Sequence, residues 1–113
     1  MSIPVIEIVP AQQAPATLAQ LYVSPASTAT RIDKLTVSNP GGSVQQISIY
    51  LVPSGQSAGA SNITTPPQSV GINGTFNSPN EFGHYLNPGD SIWAIATAAS
   101  QLVIAVAGTQ VVG

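Results

Sequence analysis

The side chains able to do chemistry are few, and they fall in two places along the chain. Glu81, His84 and Asp90 form the one titratable group, close in sequence, that contains a histidine. Glu81 and His84 have i, i+3 spacing, which on a helical turn would set a carboxylate beside an imidazole for general acid–base work or for a metal. One histidine and two acids make a poor zinc set. The spacing points instead to a hydrogen-bonded His84 that fixes the turn before Asn87-Pro88. A nucleophilic serine would have to take its base from the same histidine. No Gly-x-Ser-x-Gly and no glycine-rich loop ending in lysine occurs. The four acids, at positions 7, 33, 81 and 90, are too scattered for a calcium loop. The sequence therefore predicts no enzyme, no catalytic residue, no cofactor and no metal.

The second place is Arg31, Asp33 and Lys34, three charges within four residues. Residues two apart share a strand face, so Arg31 and Asp33 are expected to form a solvated ion pair of little energetic weight. Arg31 and Lys34 are also the only basic residues, and a nucleic-acid partner needs several at phosphates. Nucleic acid is excluded on that ground. Asn62-Ile63-Thr64 and Asn73-Gly74-Thr75 match the glycosylation pattern and read as turn chemistry. Trp93 is expected in the core, where an all-β sandwich commonly buries its tryptophan, with an interface position as the alternative.

Composition sets the frame for both groups. Charged residues make up 5% of the 113, against about 25% in soluble domains. With 43% apolar content the chain is expected to fold, because disorder needs low hydrophobicity. Its exposed faces must then be built from Ser, Thr, Gln, Asn and Ala. Such a surface is closer to an interface, from whose centre charge is depleted, than to the skin of a free monomer. There is no cysteine, which closes disulfides, thiolate metal sites and cysteine nucleophiles. Met1-Ser2-Ile3-Pro4 has no basic n-region, so synthesis in the cytoplasm is expected. The uncharged span 91–113 is long enough to raise a membrane helix. Its β-branched residues, its Thr, Ser and Gln, and the absence of flanking basic residues argue against one. No membrane partner is predicted.

The elements that must position these residues read as short strands. Residues 18–24, 31–38, 44–53, 64–72 and 75–78 each lie between proline-, glycine- or asparagine-rich turns. Asn39-Pro40-Gly41-Gly42 is expected to close a hairpin between residues 31–38 and 44–53. Asn73-Gly74 reads as a second hairpin turn, and residues 54–61 as a loop of small residues. Residues 79–85 are expected to connect, with room for one helical turn. Asn87-Pro88-Gly89-Asp90 reads as a type II turn, since proline pre-sets φ and glycine accepts a positive φ. It leads into a strand at 92–97 that should pair, beyond Ala98-Ala99-Ser100, with one at 102–106. The prediction is a single all-β domain, an antiparallel β-sandwich of jelly-roll or immunoglobulin-like type with seven or eight strands.

Three segments taken together, Arg31-Ile32-Asp33-Lys34-Leu35-Thr36-Val37-Ser38-Asn39, Ile49-Tyr50-Leu51-Val52-Pro53-Ser54-Gly55 and Gly83-His84-Tyr85-Leu86-Asn87-Pro88-Gly89-Asp90-Ser91-Ile92, resemble the small all-β virion structural proteins of tailed bacteriophages. The resemblance covers roughly residues 16–112. It implies a virion part without catalysis, most of all a capsid decoration (cement) protein. Tail, neck and baseplate accessories are close relatives of that role. The implied partners are the chain itself, as a homotrimer, and the major capsid protein or another virion protein. A receptor- or carbohydrate-binding sandwich module is the alternative from another class.

Residues 1–14 lie outside the resemblance, with the sandwich at 15–113. They read as an extended N-terminal arm or an edge strand, because Pro4 and Pro10 exclude a central strand. Ile3, Val5, Ile6, Ile8 and Val9 would make a free arm a sticky edge, so it must be covered, either by its own sheet or by a neighbouring subunit. These five are the candidate interface residues.

Overall fold

The computed structural model describes residues 5–78, 81–97 and 102–112. Nine strands and no helix occur among them: β1 (Val5–Gln13), β2 (Ala19–Val23), β3 (Thr28–Ser38), β4 (Gln45–Val52), β5 (Ile63–Val70), β6 (Thr75–Asn77), β7 (Tyr85–Leu86), β8 (Ser91–Ala96) and β9 (Val103–Val112). They form two antiparallel sheets. One has the order β1-β9-β3-β6, with β7 also on β3, and the other the order β2-β8-β4-β5. The fold is the all-β sandwich that the alternating strands predict. β6 and β7 run along one strand, β3, which accounts for a ninth strand where seven or eight are expected.

The pairing is nested. β4 pairs β5, β3 pairs β6 and β7, β2 pairs β8, and β1 pairs β9. The chain is thus one long antiparallel ribbon, turned at residues 53–62 and rolled so that its successive pairs fall in alternate sheets. That winding is the jelly-roll member of the predicted alternatives.

Nesting corrects three expected hairpins. β3 and β4 lie in different sheets, as do β5 and β6, and β8 and β9. Asn39-Pro40-Gly41-Gly42 and Asn73-Gly74 therefore carry the chain from one sheet to the other. The two corners are stitched together: Asn39 N donates to Gly74 O at 2.9 Å and Asn73 N to Asn39 O at 2.8 Å. Asn39 itself is buried, and its amide donates to Ser43 O and Val70 O while its Oδ1 accepts from Gly41 N. The β8–β9 connection, with Ala98-Ala99-Ser100, lies outside the described residues. The type II turn forms as expected, with Asp90 N on Asn87 O at 2.9 Å and Gly89 at φ +89°.

The core lies between the sheets and takes every second residue of the central strands. Ile32, Leu35 and Val37 of β3, Ile47 and Ile49 of β4, and Ile92, Ala94 and Ala96 of β8 all point into it. Each of the Ile, Leu and Val side chains among them contributes about 1.5–3 kcal/mol on burial. Ile32 and Leu35 are three apart, and both can face inward because a bulge interrupts the β3–β9 register between Ile32 and Lys34. Gly108 packs at this irregularity. A Cβ there would sit 2.4 Å from Arg31 O and 3.2 Å from Ile8 Cδ1, so only glycine lets the two backbones approach.

Candidate functional site

The residues singled out for acid–base chemistry are held apart. Glu81 is fully buried, and its carboxylate accepts hydrogen bonds from the hydroxyls of Thr64 (2.5 Å), Thr65 (2.7 Å) and Ser78. It clasps the segment after β6 to β5 of the opposite sheet. Asp90 is spent on loops: its two oxygens accept from Ser54 N at 2.9 Å and Asn87 N at 3.0 Å. His84 is exposed, and its backbone, not its ring, fixes the turn. His84 N donates to Glu81 O, and its carbonyl accepts from Ile32 N at 2.9 Å. Of the connecting segment 79–85, which had room for a helical turn, the described residues form a turn at Phe82-Gly83 that runs into β7. No group of three or more metal-ligating side chains occurs among the described residues.

Arg31 and Asp33 do share a face. Arg31 Nε donates to Asp33 Oδ1 at 2.7 Å, and the Thr109 hydroxyl of β9 donates to Asp33 Oδ2 at 2.7 Å. Thr109, first, and Arg31, second, hold the Asp33 carboxyl below its ordinary value, and Asp33 in turn raises the Arg31 guanidinium. The bulge turns Lys34 outward as well, so the β3 charges project together from the outer face of the five-stranded sheet.

The other sheet has an outer face of a different kind. In β8, Ile92, Ala94 and Ala96 point inward, so Trp93 and Ile95 point out. Trp93 is half-buried and lies outside the core cluster, a correction of its expected place, with its indole N–H on Ser91 Oγ at 2.8 Å. Cross-strand register continues the row. Gln20 of β2 lies opposite Trp93, Trp93 opposite Tyr50 of β4, and Tyr50 opposite Ile63 of β5. Ile95 lies opposite Ser48 in the next row. None of the four strands of this sheet contains Asp, Glu, Lys or Arg. A ribbon of Trp93, Tyr50, Ile63 and Ile95 on an uncharged sheet is suited to protein–protein contact, where aromatics are enriched and charge is depleted.

The candidate interface residues of the N-terminal segment are placed by β1. Val5 and Ile6 pair in register with Thr109 and Gly108 of β9, at the edge of the five-stranded sheet. Ile8 and Val9 belong to this chain's own core, 5% and 1% exposed, so these two side chains have no surface to offer a neighbour. Ile3 lies outside the described residues. The sequence signal for the uncharged face was available in the alternation of residues 91–96. What it lacked was a reason to turn the larger side chains outward.

No family model and no curated protein matches the chain. In fold it is similar to a solved structure of a Bacillus endospore appendage, from a family of disulfide-linked pili. The TM-score is 0.58 and the identity 14%, over 98% of this chain and 88% of the other. At that identity the likeness concerns the fold.

Proposed function

We propose that the chain is a non-enzymatic structural subunit that docks on protein neighbours through the outer face of its four-stranded sheet. Its setting in this reading is a tailed-bacteriophage virion, as a capsid decoration protein that is made in the host cytoplasm and associates as a trimer. The observation that carries the reading is the uncharged sheet with its row of Trp93, Tyr50 and Ile63. Placing such a face against another protein desolvates no ion, and burial of its aromatic and aliphatic area then favours association. Modest affinity per subunit becomes firm attachment when many copies bind one particle. The separation of Glu81, His84 and Asp90 is in keeping with a role without catalysis. Immunoblotting of purified full heads, empty heads and tails tests the setting. Signal in the heads, with density over the capsid in a cryo-electron microscopy map, is the expected result, and its absence from all particle fractions would overturn it.

The likeness to an endospore appendage favours a second reading, a subunit of a fibre. With no cysteine in the chain, such a fibre would be held by surface contacts and not by disulfides. Purified protein that forms filaments under negative stain, and no closed oligomer in sedimentation, would favour this reading over the first.

A further inference from the structure

Beside the assembly face, and on the other sheet, the edge of β3 carries a notch. β6 ends at Asn77 and β7 begins at Tyr85, and among the described residues between them the middle of β3 is bordered by the turn at Phe82-Gly83. The opening is about 450 Å3 and is lined by Asp33, Lys34, Leu35, Asn77, Ser78 and Phe82, within the roughly 300–1,000 Å3 of small-molecule sites. Its described wall is tied to β3 at two points. Ser78 N donates to Leu35 O at 2.9 Å and Gly83 N to Ile32 O at 2.7 Å, and buried Glu81 anchors the turn from behind. On this anchored turn Phe82 stands 69% exposed, between a fully buried Glu81 and a Gly83 at φ +79°. Tyr85, 68% exposed, follows at the β7 end, opposite Arg31. The most exposed large apolar side chain of the described residues, Phe82, thus lines the opening.

The polar groups of the notch have a definite sense. Both oxygens of Asp33 are taken, by Arg31 and by Thr109. Asn77 Oδ1 accepts from the Thr36 hydroxyl at 3.1 Å, which leaves its amide N–H groups as donors. Lys34 is exposed and makes no ion pair among the described residues. Glu7 lies in the same row of the sheet, two strands away, beyond Ala107. The notch therefore offers donors and one cation beside an aromatic side chain, with the Asp33 carboxylate of its lining paired to Arg31 and Thr109, and it suits a ligand that supplies acceptors, a negative charge and an apolar face. Strand addition by a peptide is disfavoured, because the β3 groups Ile32 N, Ile32 O and Leu35 O are already bonded to His84, Gly83 and Ser78. A nucleic acid would require several cations, and the lining has one, Lys34.

We propose that this notch is a binding site for an acidic sugar residue, with the C–H face of the pyranose on Phe82 and its carboxylate at Lys34 and Asn77. The inference is independent of the assembly reading, since no notch residue lies in the four-stranded sheet. The test is titration of the 15N-labelled full chain with trigalacturonate, with neutral trigalactose and with an acetylated triglutamate peptide. The acidic sugar is expected to bind in the millimolar range, on the order of −4 kcal/mol, and to shift the amide signals of Lys34, Asn77 and Phe82. Phe82→Ala should weaken it about tenfold or more and Phe82→Tyr should restore it, while Lys34→Gln should remove the preference over trigalactose. No shift at about 20 mM sugar, an equal response to trigalactose, a stronger response to the peptide, or binding untouched by Phe82→Ala and Lys34→Gln would each overturn the proposal. Particle incorporation of Phe82→Ala is expected to be unchanged, which separates this site from the assembly face.

Discussion

The five-stranded sheet carries Arg31, Asp33 and Lys34 on its outer face, whereas the four strands of the sheet packed against it contain no charged residue at all. Both sheets feed the same core with the same kind of aliphatic side chain. The inner faces are thus interchangeable in chemistry and the outer ones are not. Folding constrains only one side of each strand, and alternation leaves the other side open to a different use. On β3 that freedom goes to a solvated network in which Arg31, Asp33 and Thr109 satisfy one another. On β8 it goes to Trp93 and Ile95, which the core does not need. In the proposed function, a neighbour covers this half-buried aromatic on its neutral sheet.

The contrast can be broken first at the edge of the charged sheet. Deleting residues 1–10 takes Ile8 and Val9 out of the core, a loss of about 3–6 kcal/mol from burial alone, against total stabilities of about 5–15 kcal/mol for domains. The truncated chain is expected to lose most of its urea midpoint. A midpoint like that of the intact protein would mean that β1 adds nothing and that the neutral sheet carries the fold. Next comes Ile95→Lys on the neutral face, compared with Ala105→Lys on the charged one. In the free domain both should lie within about 0.5 kcal/mol of the parent. In the proposed assembly the first would leave an uncompensated buried charge, worth about 3–5 kcal/mol, and if the protein associates through this face, sedimentation should show the oligomer lost for Ile95→Lys and kept for Ala105→Lys. Equal behaviour of the two would erase the distinction between the faces.

The smallest effect sharpens the contrast by acid. The folded-state carboxyl of Asp33 is depressed below its ordinary 3.8, so what it contributes is present above that value and is lost as pH falls through the depressed one. Thr109→Val removes the larger cause. The thermal midpoint of the parent should exceed that of the variant near pH 6, and the gap should close by about pH 2. The Arg31 and Asp33 side chains of this network are partly solvated, so the shift should be slight. A gap that persists in acid would assign the effect to packing of Thr109.

Much of the fold was legible in residue order, because alternation and turn chemistry are local. Ile47, Ile49 and Leu51 against Gln46, Ser48 and Tyr50 give a strand with two faces whatever it pairs with. Partnership is not local. Asn39-Pro40-Gly41-Gly42 reverses the chain equally well within a sheet or across the gap of about 10 Å between sheets, and what commits it to the crossing is the buried Asn39 amide on Val70 O, 31 residues away. The acid–base candidates were legible as residues and not as a set, since the fate of Glu81 depends on three hydroxyls from two other segments. Phe82 carried no signal, as one aromatic in a turn is ordinary until the turn is seen to be anchored.

The pairing of the first strand with the last decides how the molecule answers to force. Val5 lies opposite Thr109, so the described chain begins and ends side by side at one edge. Tension applied through the two ends would pull β1 and β9 apart like the halves of a zip, one ladder bond after another, instead of straining all of them together in shear. A subunit built this way yields early when stretched from its termini. In any array under load the stress would have to run from face to face across the width of the sandwich and not along β1 and β9.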